Sequence, residues 1–486
     1  MIQMTTNNNM HELKRELNLF DSTMIVIGSM IGSGIFIVSA DIARTVGSPG
    51  YLLIVWIITG VMTMIAALSY GELAGMMPHV GGQYAYLREA YNPLIGFLYG
   101  WTLFLVIQTG TIAAVAVAFA KFTGVLIPWF SEKHIIFSFG NFHVSAAQLL
   151  AIISVAFLTY VNTRGLQEGK IIQNIFTFTK VLALAGFIML AFLIGYNSTA
   201  VAANLSGFWN AAWTQISEGK MLTTTSLSGW MLLSAIGVAM VGSLFSSDAW
   251  NNITFTAGEV ANPKRNIPLS LFLGTGAVTL IYLLANIGYL LVLPLNGTPE
   301  AGEVISRGIQ FASSDRVGTA AASMIFGDGA AIIMAMLIMI STFGCNNGLI
   351  LAGARVYYAM SKDGLFFKSA GKLNTRSVPG AALIVQGIWT CLLCLSGTYG
   401  DLLDYVIFAV LLFYILTILG IFILRKKRPE AERPYKAVGY PIIPALYILL
   451  AAAVSIDLLI FKPQYTWPGL GIVLAGIPVY YFWRRK

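Results

Sequence analysis

Charge is what this sequence lacks. Only 10% of its 486 residues are Asp, Glu, Lys or Arg, where a soluble domain carries roughly 25%. With 57% hydrophobic residues and no polar linker of useful length, a string of water-soluble domains is excluded, as is a disordered scaffold. Cysteine and histidine are scarce too. Cys345, Cys391 and Cys394 are the only cysteines and lie inside apolar runs, so neither a disulfide framework nor a zinc site is expected. His11, His79, His134 and His143 fall in the tail or in connections, without metal-ligand spacing. No metal, no cofactor and no convergent nucleophile–base set is visible, so the reading is not an enzyme. The net charge of +8 sits in short connections rather than on one basic face, which argues against nucleic acid.

Long apolar runs are what is there. Stretches of about 20 residues between charged or Pro/Gly punctuation give about twelve candidate spans. They centre near Ile31, Thr63, Val106, Ile153, Ala183, Phe245, Leu280, Ile340, Gly387, Leu412, Leu450 and Ala475. Lipid leaves the backbone only helices or a closed barrel, and these runs are too long for barrel strands. The expected fold class is an all-α integral membrane protein. The polar tail 1–19 has no signal-peptide core. With that tail in the cytoplasm, most of the 29 basic residues collect on the inner side, including Lys264, Lys362 and Arg425-Lys426-Lys427-Arg428. Both termini are therefore expected to be cytoplasmic.

Two spans are interrupted in matching ways. Span one reads Gly28-Ser-Met30-Ile-Gly32-Ser33-Gly34-Ile-Phe36, and span six reads Gly242-Ser-Leu-Phe245-Ser246-Ser-Asp248-Ala-Trp250. Small polar residues at mid-bilayer depth unwind a helix, which is tolerated where the backbone lines a cavity. Gly28-x-x-x-Gly32 taken alone also fits helix packing through small residues. Spans one and six head two five-span halves, 20–196 and 228–424, followed by two further spans in 437–483. That is the layout of an inverted-repeat transporter.

The motifs also carry a resemblance. Gly32-Ser33-Gly34-Ile35-Phe36, Tyr70-Gly-Glu72-Leu-Ala, Pro78-His-Val-Gly81-Gly82, Glu259-Val-Ala-Asn262-Pro263, Ser341-Thr342-Phe343-Gly344 and Glu432-Arg433-Pro434-Tyr435 follow one another in family order. The chain resembles the amino acid–polyamine–organocation superfamily and, within it, the L-amino-acid transporter family. The resemblance implies a core of five plus five inverted helices with spans one and six broken, and alternating-access transport of amino acids. It implies a substrate carboxylate on amides at Gly32, Ser33 and Gly34. The ammonium would face carbonyls left free at Met30, Phe245, Ser246 and Asp248, with Phe245 closing over the substrate. Opposed half-helix ends match a zwitterion in the same way. Tyr405 and Phe408 become plausible pocket walls.

Asp248 departs from the family pattern of small residues. Its readings are an N-cap for the second half of span six or a carboxylate facing a cationic substrate. The resemblance also implies that Lys180, deep in span five, replaces the sodium ion of sodium-coupled relatives by bonding carbonyls near Gly28. The resulting expectation is a sodium-independent carrier of L-amino acids, neutral ones first, working by exchange or proton coupling. The alternative is a carrier of cationic amino acids or polyamines with Asp248 as countercharge. The heteromeric animal members hold a cysteine between spans three and four. The loop Thr123 to Val144 has none, so no disulfide-linked heavy subunit is expected, and a bacterial inner membrane is the expected location. Glu72 and Arg355 read as helix-end charges that snorkel or pair locally.

Overall fold

Proline and small capping residues punctuate the apolar runs, and the helices start where that punctuation falls. A computed structural model describes residues 13–139, 142–216, 222–396 and 399–484, apart from the side chains at 399–405 and a few other positions. Of the expected tail, residues 1–12 lie outside the described residues, as do Arg485, Lys486 and the side chain of Tyr405. Span one begins at Leu19 behind Asn18. The Asn18 side chain accepts from the Asp21 amide, and the Asp21 carboxylate accepts from the Asn18 amide, a reciprocal cap. Span two (Pro49–Met76) and span three (Pro93–Leu126) each open with a proline behind a capping Ser48 or Asn92. Ser145 and Gln148 cap span four (Ala146–Arg164) reciprocally, as Asn18 and Asp21 cap span one.

The remaining spans are Leu166–Leu193, Gly229–Ser246, Pro263–Val292, Ala330–Lys362, Gly380–Ser396, Tyr399–Lys427, Ile442–Phe461 and Pro463–Arg484. Among the described residues, nine helices are long and apolar enough to cross a membrane. Three of the twelve candidates fall short for local reasons. Span one stops at Met30 after 12 residues because its glycines unwind it, span nine has 17 residues, and span twelve carries Pro468 and Pro478 internally. The fold is all-α apart from two short hairpins in connections. Phe178, Leu182, Ile388 and Leu449 stand exposed around its circumference, as a lipid-facing surface requires.

Several connections carry structure that periodicity did not show. A short helix, Gln83–Ala90, joins spans two and three. Two antiparallel hairpins, Ile135–Phe139 with Phe142–Ser145 and Ala212–Ile216 with Leu222–Ser226, lie on one face. We call that face the hairpin face and the other the terminal face. On the terminal face, Leu17 exchanges backbone bonds with Glu259 and Ala261 after span six, at 2.9 and 2.8 Å. There too Trp483, near the end of span twelve, stacks on Phe366 at 6.5 Å. Span three contains one wide turn: the Gln108 amide bonds the Leu103 carbonyl, five residues back. Such turns re-aim side chains, and here the Gln108 amide donates to the Leu349 carbonyl of span eight at 2.7 Å.

Candidate functional site

Unwinding a helix releases carbonyls, and buried carbonyls need donors. In span one, five successive carbonyls find them on other spans. Lys180 Nζ, halfway along span five and fully buried, donates to the carbonyls of Gly28 at 2.7 Å and Ile31 at 2.6 Å. It also donates to the Ser341 carbonyl of span eight at 3.1 Å. Ser341 Oγ donates to Ile31 and Gly32 at 3.2 and 3.0 Å, and Cys345 Sγ to Ser29 at 3.1 Å. Tyr282 Oη of span seven donates to Met30 at 3.2 Å and to Ser246 of span six at 2.9 Å, so one hydroxyl ties the two broken segments together.

Three of the four carbonyls expected to be left free are therefore engaged. Met30 and Ser246 accept from Tyr282, and Phe245 accepts from the Asp248 amide at 3.2 Å. Each carbonyl has a second lone pair, so an ammonium remains chemically possible there. The amides behave differently. Gly34 opens a helical turn, Gly34–Phe36, that runs on into Ser39–Val46. The Gly34 and Ile35 N–H groups have no acceptor among the described residues, as the first donors of a helix do not. Aligned amides of that kind suit a carboxylate.

The glycines have separate reasons. A Cβ on Gly28 would lie 2.0 Å from Gln173 Nε2 and 2.2 Å from Thr177 Oγ1, so Gly28 is where spans one and five touch. A Cβ on Gly34 would lie 2.1 Å from Ser246 Oγ and 3.2 Å from Ser246 Cα, so Gly34 is where the two broken spans meet. Gly34→Val is expected to abolish uptake by forcing them apart, whereas Gly32→Ala, whose Cβ finds only Cys345 Sγ at 3.5 Å, is expected to be tolerated. Uptake assays on both variants at matched expression check this; normal uptake by Gly34→Val contradicts it.

Span six breaks after Ser246, with Ala249 in the left-handed region at φ 64°. Helix resumes at Asn252, with Asn251 at the cap position. Asp248 thus stands too early to cap it, which corrects the N-cap reading. Its carboxylate instead accepts from Tyr414 Oη of span ten at 2.5 Å. Two narrow cavities flank Asp248, each ≈ 20 Å³, room for about one water. Gln83, Tyr99, Gln108 and Asn251 line one, and Thr63, Trp250 and Tyr447 the other. An amino acid fits neither. Wider clefts, ≈ 990 Å³ on the terminal face and ≈ 610 Å³ on the hairpin face, stop short of it. The arrangement is closed to both sides. Phe245 is buried at the end of the first half of span six, and Phe408 is buried in span ten.

Ion pairs hold the terminal face shut. Arg355 and Glu259, each 1% exposed, form two parallel 2.9 Å bonds between span eight and the end of span six. Glu72, fully buried, binds Arg425 at 2.8 and 2.6 Å, with Arg433 at 3.4 Å, and accepts the Ala437 amide at 2.7 Å. Arg425 also lies 3.6 Å from the Tyr440 ring centre. Of the two readings of Glu72 and Arg355, pairing is the one the structure shows, and Arg425 is one of the partners. Around the wide cleft, Asp363 takes Arg88 and the Tyr84 hydroxyl, and Glu89 takes Arg88 and Arg428. Burial alone would raise the Glu89 pKa; the hydrogen bonds from Arg428 and Arg88 outweigh it and hold it below the ordinary value.

Sequence reasoning picked out Lys180, Gly34 and the two breaks, but not Tyr282, Cys345, Tyr414 or the Glu259–Arg355 pair. Serine, tyrosine and cysteine in apolar runs give no periodic signal. A donor for every released carbonyl is the one rule that would have prompted a search for them.

Comparison with known proteins finds relatives along nearly the whole chain. The amino acid permease family model matches residues 17–477. The b(0,+)-type amino acid transporter 1 of Homo sapiens is 29% identical over 480 residues, covering 96% of this chain and 88% of that protein. The large neutral amino acids transporter small subunit 2 of Rattus norvegicus is 30% identical over 484 residues, covering 98% and 82%. The Asc-type amino acid transporter 1 of Mus musculus is 28% identical over 483 residues, again 98% and 82%.

Proposed function

We propose, from the premise that the chain belongs to the amino acid permease family, a sodium-independent carrier of neutral L-amino acids working by alternating access with exchange or proton coupling. Transport of amino acids by a multi-pass membrane protein, not enzymatic turnover, is what that family does. The two halves 20–196 and 228–424 are read as its repeats, with 437–483 as an addition.

The observation that carries the reading is Lys180. Its ammonium lies among three carbonyls contributed by spans one and eight, the kind of ligand set that a small monovalent cation would take. A cation fixed to the chain makes a dissolved one unnecessary. The substrate carboxylate is assigned to the amides of Gly32, Ser33 and Gly34. Its ammonium is assigned to the second lone pairs of Met30, Phe245 and Ser246 and to the Asp248 carbonyl, and Phe245 closes the chamber. The terminal face, which carries the paired basic residues, is read as cytoplasmic in a bacterial inner membrane. All three cysteines lie within spans, which supports a carrier without a disulfide-linked heavy subunit. Labelled amino acids offered to purified protein in liposomes, empty or preloaded and with or without a pH gradient, test the mode. Uptake only into preloaded vesicles assigns exchange; uptake driven by an inward proton gradient assigns symport; none at all rejects the reading.

Asp248 favours a second reading, a carrier of cationic amino acids. Its carboxylate touches Tyr414 and both small cavities and, among the described residues, no cation. Asp248→Asn retains the size and accepts the Tyr414 bond. On the neutral reading, uptake of alanine and leucine falls by no more than about twofold, since one neutral-acceptor bond replaces one charged one. Competition by lysine that is strong in the wild type and lost in Asp248→Asn decides for the second reading.

A further inference from the structure

The hairpin face holds a charged cleft that the transport cycle described above does not use. It opens between the end of span three, the start of span four and the loop before helix Val317–Phe326, and its volume is ≈ 610 Å³, within the roughly 300–1,000 Å³ of small-molecule sites. Ile37 lines it, directly after the Gly34–Phe36 turn that opens the second half of span one. The cleft therefore ends against the element assigned to the substrate carboxylate.

Among the described residues, two cations on its wall hold no carboxylate. Arg316 holds its guanidinium 5.2 Å from the centre of the Phe122 ring, and its Nε is buried without an acceptor. Neither Arg316 nor Lys121 makes a side-chain hydrogen bond or an ion pair among the described residues. Several arginines elsewhere are paired. Arg44, Arg88, Arg355, Arg376, Arg425 and Arg428 all hold carboxylates. Asp315, next to Arg316, is taken by Arg44 at 2.6 Å. Glu132 lines the same cleft and makes no ion pair among the described residues. Burial lowers the Arg316 pKa and the Glu132 charge only partly opposes it. A half-buried guanidinium with unmet donors is unfavourable by itself and well suited to a bidentate carboxylate.

We propose that this cleft is an entry subsite that captures a zwitterionic amino acid before it reaches the central chamber. Arg316 and Lys121 take its carboxylate, Phe122 holds the guanidinium in place, and Glu132 faces its ammonium. The subsite rests on the amino acid transport reading and on the hairpin face being the outer one.

Transport of labelled L-alanine and L-leucine into right-side-out and inside-out membrane vesicles tests it. In right-side-out vesicles, Lys121→Gln combined with Arg316→Gln is expected to raise KM about tenfold at low ionic strength with maximal rate unchanged, the size of losing about 1.4 kcal/mol of charge-assisted hydrogen bonding to the carboxylate. Added salt shrinks the difference, because salt weakens ion pairs at a partly exposed site. Arg316→Lys keeps KM within about twofold, and inside-out vesicles show no change with any variant. An unchanged KM in right-side-out vesicles, or an equal rise in both orientations, overturns the subsite while leaving the transport reading standing. Absence of uptake by the wild type overturns both.

Discussion

Lys180→Ala is expected to cut the initial rate of amino acid uptake by about a hundredfold while leaving the protein folded. The substitution strips the Gly28 carbonyl of its side-chain donor and leaves Ile31 with Ser341 alone. An unsatisfied buried acceptor costs about 1–3 kcal/mol, and a loss of about 2.7 kcal/mol corresponds to two decades in rate. The loss falls on the unwound part of span one, beside the amides of Gly32, Ser33 and Gly34 proposed to bind the substrate carboxylate, so transport is expected to suffer before folding does. Lys180→Arg keeps the charge, but its planar fork does not suit a site that gathers three carbonyls around one nitrogen; partial recovery at most is expected. Initial-rate uptake, with size-exclusion elution and thermal melting as folding controls, checks the series. Wild-type rates in Lys180→Ala would remove the ammonium from the mechanism.

The largest effect on stability is expected at Arg355. Arg355→Leu leaves Glu259 charged, 1% exposed and without its guanidinium. Removing one partner of a buried pair costs about 3–5 kcal/mol, whereas replacing both with apolar residues of similar volume is often close to neutral. The double variant Glu259→Leu with Arg355→Leu should therefore melt well above Arg355→Leu alone. Function separates the two roles further. On the proposed alternating-access cycle, spans six and eight would part when the terminal face opens, and this pair bridges them. A double variant that is stable yet transports with altered sidedness of KM identifies a gate; one that is stable with wild-type transport identifies a packing element only. Equal melting of the single and double variants would contradict the clamp.

The span pattern was legible because lipid imposes it. Each run of about 20 apolar residues had to be a helix, and the proline and serine starts at Pro49, Pro93 and Ser145 fall where such residues start helices. The breaks were legible because Gly32-Ser33-Gly34 and Ser246-Ser247-Asp248 put small and polar residues, which weaken a helix, at matching depth in spans one and six. What filled the breaks was not. Tyr282, Ser341 and Cys345 matter through which carbonyl they reach, and that depends on how spans seven and eight cross span one. Asp248 shows the limit from the other side. Read locally it is a helix cap, yet the helix restarts at Asn252 and Tyr414 claims the carboxylate from a span 166 residues away in sequence. Arg355 likewise reads as a helix end, because span eight runs to Lys362 and nothing local points to Glu259.

The central claim is that an ammonium belonging to the chain occupies the place of a coupling cation. Uptake of labelled L-alanine into liposomes with external sodium replaced entirely by choline tests it most directly. The rate is expected to match that in sodium at every substrate concentration. A rate that falls towards background in choline, and recovers in proportion to added sodium, would show that a dissolved cation is needed despite Lys180 and would contradict the account.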